Sequence, residues 1–422
     1  MSTVEVVVSI TGTDVPAATL RPTLRNGRHV GAELIYQPGY LATTGAYPID
    51  PALPLASGSQ FTAPGQPLFA ALTDCAPDRW GRLLMQKAER LRAGEAGTAP
   101  RTLTEIDVLL GARDDMRQGA LRFRRDTDGP FLAEAEEGVP AVAELGQLLH
   151  LSRRNEDDAL VADELARLVR GGSSLGGARP KAHVRTGHGT AAIAKFPSVR
   201  QDTWDVMAWE AVALHLARTA GVTVPDNQLI RIAGRSVLII ERFDRVGPLR
   251  ERTPPERVGY VSAMTMLGRR DGDAGDFLDL AEVVEEQSPS ATADMVQLWR
   301  RAVFSALIAN TDNHLRNHGF LRVQGGWTLA PAFDLNPTPD SAELAVGVAG
   351  NTVAPLTAAV ESCELFRLDS AEALEVLAEV VDAVGGWSHV ARQHGVDTAG
   401  IQRIRPAFQG EAAAQARRLL AH

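Results

Sequence analysis

Asn310-Thr-Asp-Asn-His-Leu-Arg-Asn-His-Gly319 is the stretch on which the reading of this chain turns. Asp312 and Asn317 stand five positions apart in it. Ahead of it, Asp294 to Ala309 carries Val296, Trp299, Val303 and Leu307 at helical spacing. Behind it, Gly319 to Val323, the turn Gly325-Gly326 and Trp327 to Ala330 read as a hairpin, and Phe333-Asp334-Leu335 follows at once. A carboxylate at Asp312 can hold a hydroxyl and accept its proton. The amide oxygen of Asn317 and the carboxylate of Asp334 suit a hard cation such as Mg2+, which takes oxygen ligands and keeps several waters. The alternative is a polar loop whose Asp and Asn merely cap turns. That fits Asp312 taken alone better than it fits the ordered triple.

Upstream lie parts that match such chemistry. Ser173-Ser-Leu-Gly-Gly-Ala-Arg-Pro-Lys181 is Gly-rich, and its backbone N–H groups, at Ser174, Gly176, Gly177 and Ala178 among others, could cradle phosphates. It lacks Gly-Lys-Ser/Thr, and a plain turn is the competing reading. A hairpin turning near Gly187 to Gly189 leads into the strand Ala191 to Phe196. Lys195 on that strand suits a phosphate contact, or is an ordinary solvent-facing lysine. Val206, Trp209, Ala213, Leu216 and Ala220 then mark an amphipathic helix. Its Glu210 either pairs with Lys195 or is a solvated charge. Strands Gln228 to Ile232 and Ser236 to Glu241 meet at Ala233-Gly234. The junction Glu241-Arg-Phe-Asp-Arg245 reads as a hinge, where an adenine would bond to backbone and Asp244 could reach a ribose. Its other reading is a salt-bridged strand end.

The flanks complete an α+β chain in three parts: a strand-rich module over 1–140, a small lobe over 141–250 and a mostly helical lobe over 251–422. The first shows strands at Val4 to Ile10 and, after a turn at Asn26-Gly27, Val30 to Tyr36. A helix opens at Pro77-Asp-Arg-Trp-Gly-Arg82 and runs to about Leu91, and Arg92 to Pro100 reads as a flexible connection. Glu105 to Leu110 and Leu121 to Arg124 read as helix and strand. A helix over about Asp158 to Val169 precedes the Gly-rich segment, and Ser370 to Val384 and Gly410 to Ala421 read as helices.

Composition sets the frame. The 422 residues, 45% apolar and 23% charged, are those of a globular protein. The N-terminus lacks a signal-peptide pattern, and no apolar run reaches about 18 residues, so no membrane association is expected. Cys75 and Cys363 have no metal-ligand spacing and read as reduced thiols of a cytoplasmic protein. A net charge of -9 disfavours autonomous DNA binding, which draws most of its affinity from basic groups.

Helix, Asp-x-x-x-x-Asn loop, hairpin and Asp is an order that resembles the C-lobe of protein kinases. More closely, Ser174 to Lys181, Ala194-Lys-Phe-Pro197, Glu241 to Arg245, Asn310 to Asn317 and Ala332-Phe-Asp-Leu-Asn336 resemble successive motifs of HipA kinases, the toxins of bacterial type II toxin–antitoxin systems. Ala76-Pro-Asp-Arg-Trp-Gly-Arg82 is similar to that family's Pro-Asp-x-Trp-Gly signature, whereas Leu53-Pro-Leu-Ala-Ser-Gly follows its N-terminal pattern only loosely. The resemblance implies a bilobal, protein-kinase-like Ser/Thr kinase that binds ATP and Mg2+ between its lobes. Asp312 would be catalytic and Asn317 and Asp334 the metal ligands. Lys181, Lys195, Glu210, Glu241, Phe243, Asp244 and His314 would serve the ATP site with the Gly-rich loop, and Ser174, or Ser173 beside it, would be autophosphorylated. It further implies a DNA-binding HipB-like antitoxin as partner and an aminoacyl-tRNA synthetase as target, glutamyl-tRNA synthetase foremost. A non-toxin target, or a non-catalytic nucleotide-binding corepressor, stays open.

Overall fold

The computed structural model describes residues 3–25, 28–77, 79–133, 139–157, 160, 164–165, 167–168, 179–249, 255–341 and 343–421. The expected helix over Asp158 to Val169 lies mostly outside them. So do the Asn26-Gly27 turn and the five loop positions Ser173, Ser174, Gly176, Gly177 and Ala178. The chain forms two compact units, Met1–Gln201 with Glu241–Val261, and Asp202–Ile240 with Ser262–His422.

The first unit is built on a five-stranded antiparallel sheet. Strands β1 (Val4–Ile10), β2 (Thr13–Arg25), β3 (Arg28–Tyr36), β4 (Ser59–Phe61) and β5 (Leu121–Arg124) lie in the order β4-β3-β2-β1-β5. The register of β1 against β2 slips between Val6 and Val7, where Val7 faces Pro16. Proline has no N–H for the ladder, so an irregularity there is what its chemistry demands. Helix α1 (Arg79–Glu95) begins at the Trp-Gly signature and runs past Leu91 into the expected flexible connection. α2 (Glu105–Gly111) opens with a Thr104–Asp107 capping box. α3 (Leu145–Glu156) was not legible in the sequence, and Lys87 of α1 donates to the Asn155 carbonyl of α3 at 2.7 Å. The hairpin of β6 (Lys181–Arg185) and β7 (Ala191–Lys195) also belongs to this unit.

A dense ion network sits in the same unit. Asp244, 3% exposed, accepts from Arg242, from Arg245 at 2.9 Å and from the Gly119 N–H at 2.8 Å. Asp114, 1% exposed, accepts from Arg122 and from Arg257 at 3.0 Å. Main-chain carbonyls absorb further guanidinium donors, Met116 from Arg242, Arg117 from Arg245, and Leu109 and Ala112 from Arg117, while Arg117 Nε and Arg257 Nη1 stay buried without a hydrogen-bond partner.

In the second unit, α4 (Val206–Thr219) is capped by Asp205, whose carboxylate accepts from the Ala208 N–H and from Ser236. That second bond ties the helix to the hairpin of β8 (Asn227–Ile232) and β9 (Arg235–Glu241). α5 (Phe277–Gln287) leads to α6 (Ala291–Leu307), which packs on the hairpin of β10 (Gly319–Val323) and β11 (Gly326–Leu329). Helices α7 (Pro355–Glu361), α8 (Ser370–Gly385), α9 (Trp387–Gln393), α10 (Thr398–Gln409) and α11 (Glu411–Leu419) close the unit. By compactness, α4 and the β8–β9 hairpin group with the C-terminal helices. The cause is packing, since Trp209 of α4 lies 6.2 Å from Trp387 and 6.0 Å from Phe408, ring to ring. Cys75 and Cys363 are buried free thiols, and among the described residues no helix is long and apolar enough to cross a membrane.

Burial pushes the Asp244 carboxyl up, but Arg242 and Arg245 outweigh it and hold it below the usual carboxylate range. A depressed carboxyl stabilises the fold at pH above its unfolded value and loses that contribution as pH falls through its folded value. Asp244→Ala strands buried guanidinium charge and is expected to cost about 3–5 kcal/mol at pH 7. Urea titrations of both proteins should show that difference, and it should shrink as pH drops below about 4.

Candidate active site

α6 ends at Ile308, and Ala309 then turns with φ +49°, a left-handed conformation that costs a non-glycine residue about 1–2 kcal/mol. The turn is held from several sides. The Asn310 N–H donates to the Ser305 carbonyl at 2.9 Å, and the Ala309 carbonyl accepts from the Thr311 and Thr338 N–H groups. The Asn310 side chain is 1% exposed, and its Oδ1 accepts from the Asn336 N–H at 3.0 Å. Asn336 in turn donates through Nδ2 to Asp334 Oδ1 at 3.3 Å. Two hydrogen bonds thus connect the start of the Asn310–Asn317 loop to the Asp334 carboxylate.

The end of that loop is a short 3-10 turn, Leu315–Asn317. Asn317 donates from Nδ2 to the Asp312 carbonyl at 2.9 Å. With its donor end tied back, the oxygen end of the amide is the one presented for ligation. Asp312 is exposed, as is His314, while Asn317 and Asp334 are half-buried. Asp334 adopts φ +57°, a strained setting of the kind that collects at functional sites. Arg316 braces the loop through a bidentate pair with Asp271, at 2.7 and 2.9 Å. Leu315 packs so closely on Gly275 that a Cβ there would meet its Cδ2 at 2.6 Å. His318 is buried, and burial together with Arg301 and His314 pushes its imidazole down to about 3, so the ring is neutral at physiological pH. The loop's brace at Arg316–Asp271 has no local sequence signal, because the partners are 45 residues apart.

The other expected site residues divide by unit. Glu210 in the second unit is 1% exposed, so it is not a solvated helix-face charge. In the first unit Lys181 and Lys195 face each other directly across β6 and β7, both half-buried. The Trp80 indole N–H donates to the Lys181 carbonyl at 3.0 Å, a contact that sequence reading missed although the Trp-Gly signature marked one end of it. Glu241 is half-buried, and the Phe243 ring lies 6.2 Å from Tyr260. Asp244 is the correction: both carboxylate oxygens are engaged by Arg242, Arg245 and Gly119, so Arg-Phe-Asp-Arg is the salt-bridged strand end and Asp244 is not held ready for a ribose.

Among the described residues no cluster of three or more His, Cys, Asp or Glu could hold a metal. One carboxylate and one amide oxygen, Asp334 and Asn317, do fit Mg2+, which completes its shell with waters and phosphate oxygens.

The helix, loop, hairpin and strained aspartate define an α+β fold of the protein-kinase-like kind. The HipA-like C-terminal domain family matches residues 173–387, and this chain belongs to that family. Among solved structures it is similar to the Shewanella oneidensis HipA from a complex of HipA, HipB and operator DNA. That match has a TM-score of 0.63 at 15% identity and covers 98% of this chain and 97% of the other. Among curated proteins it is 30% identical over 168 residues to the putative kinase Y4dM of Sinorhizobium fredii, covering 36% of this chain and 38% of the relative. It is 24% identical over 143 residues to a putative kinase of Haemophilus influenzae, covering 31% and 42%. The matches to these curated relatives thus span less than half of either partner's length.

Asn310→Ala removes the acceptor for the Asn336 N–H. It is expected to cost about 1–3 kcal/mol and to speed amide exchange at Asn336. Denaturant titration and hydrogen exchange measure the two effects.

Proposed function

We propose that this chain is an ATP- and magnesium-dependent Ser/Thr protein kinase and the toxin of a HipBA-type toxin–antitoxin pair. The observation that carries the reading is the linkage of Asp312 to Asn317, and of Asn310 through Asn336 to Asp334, in a chain of the HipA-like family. Phosphoryl transfer asks a protein mainly for positioning and charge stabilisation. Asp312 holds the acceptor hydroxyl and takes its proton, and its exposure leaves it open to a protein substrate. Asn317 Oδ1 and the Asp334 carboxylate would hold Mg2+, which neutralises charge on the ATP phosphates when bound. Lys195, with Lys181 across the strand pair, supplies positive charge for those phosphates.

The finer assignments rest on family resemblance. The partner is a DNA-binding HipB-like antitoxin, through which this acidic chain reaches DNA. The target is an aminoacyl-tRNA synthetase, glutamyl-tRNA synthetase first. The chain acts in the cytoplasm, and it phosphorylates its own Ser174, or Ser173, which adds about two negative charges to the phosphate loop and weakens nucleotide binding.

Intact-mass spectrometry of the purified chain with Mg-ATP tests this. One added phosphate is expected, mapped to Ser173 or Ser174, lost when EDTA removes the metal and slowed about 10²–10⁴-fold in Asp312→Asn. An unmodified chain that binds ATP yet gains no phosphate would point to a nucleotide-binding corepressor instead.

A further inference from the structure

Within the second unit, a cavity of ≈ 10 Å³ is lined by the end of α6, the Asn310–Asn317 loop and Phe333. That volume admits about one water-sized occupant. Besides Ser305 at 2%, three nitrogen-bearing side chains in its wall are deeply buried: Arg301 at 4%, Asn313 at 2% and His318 at 5% exposure. Each keeps one buried nitrogen without a partner, Arg301 Nε, Asn313 Nδ2 and His318 Nε2. The first two are obligate donors, and the imidazole can present either face. A buried donor left unpaired costs about 1–3 kcal/mol, so two obligate donors, with an imidazole nitrogen that can serve as a third, on residues lining one small space call for an acceptor.

The charge in the wall points the same way. Arg301 donates through Nη2 to the Ala330 carbonyl at 2.7 Å, and among the described residues it makes no salt bridge. Asp294 attracts it at longer range, but that carboxylate already accepts from Ser288, Thr328 and the Leu329 N–H. A buried guanidinium with no adjacent carboxylate favours an electron-rich neighbour.

We infer that this cavity binds one small hydrogen-bond acceptor, a water molecule or a halide ion, held by Arg301 Nε, Asn313 Nδ2 and His318 Nε2. Its occupant joins α6 to the middle of the Asn310–Asn317 loop and to the residue that leads into β10. Asn313 is the neighbour of Asp312, so the occupant fixes the part of the loop that the Asn317 bond does not reach.

Crystals of the full chain grown in bromide test the site directly. A peak within hydrogen-bond distance of Arg301 Nε and Asn313 Nδ2 is expected; anomalous scattering marks it as halide, and its absence as water. No density there, or the three nitrogens paired with protein atoms, overturns the proposal. Thermal unfolding separates the two sources in solution. An upward shift of the midpoint in bromide over gluconate at equal ionic strength, erased in Asn313→Asp, whose carboxylate replaces the ion, assigns a halide. Equal midpoints in both salts assign the same density to water.

Discussion

Three contacts along α6 hold the segment that carries Asp334. Asp294, near the first turn, accepts from Thr328 and the Leu329 N–H; Arg301, midway, donates to the Ala330 carbonyl; Asn310, just past the end, accepts from the Asn336 N–H. The strand at 328–329, the residue after it and the segment leading to Asp334 are thus each tied to the same helix or its end, and the positive φ values at Ala309 and Asp334 are the local cost of that arrangement.

The first unit solves a different problem. Its β1 is buried on both faces, and beside it the sequence brings many arginines to few carboxylates. Asp114 and Asp244 serve as hubs, and main-chain carbonyls take several of the surplus donors. Such a network is a weak source of net stability, because desolvation offsets much of the attraction. It does demand one geometry, since a guanidinium moved by an ångström leaves its donors unpaired. Asp244 and Arg245 are therefore parts of this unit's interior.

Much of the second unit was legible because its signals are local. The β10–β11 hairpin announces itself by Gly325-Gly326, and α6 by apolar residues every three or four positions. The Asp312, Asn317 and Asp334 order needed only spacing. What stayed hidden depends on distant partners. Asn310 looks like any helix-terminal Asn until Asn336 folds back onto it. Asp244 reads equally as a ligand contact or a salt bridge until Arg242 and Gly119 appear around it. β2 escaped because Pro16 and Pro22 argue against a long strand, and it tolerates the first with a slipped register. α9 and α10 escaped because their apolar faces are short and α10 holds Pro406. The unit boundary escaped because aromatic packing, not chain order, assigns α4.

The indole of Trp80 reaches the carbonyl of Lys181 across 101 positions of chain. The segment shared with the HipA-like family begins at 173, so its first strand is propped by a residue well outside that segment. A buried core joins Trp80 and Leu84 of α1 with Leu151 of α3 around the same prop. The two stretches are thus not interchangeable parts: transplanting the shared segment behind a foreign leader would remove a hydrogen-bond donor and a hydrophobic wall at once.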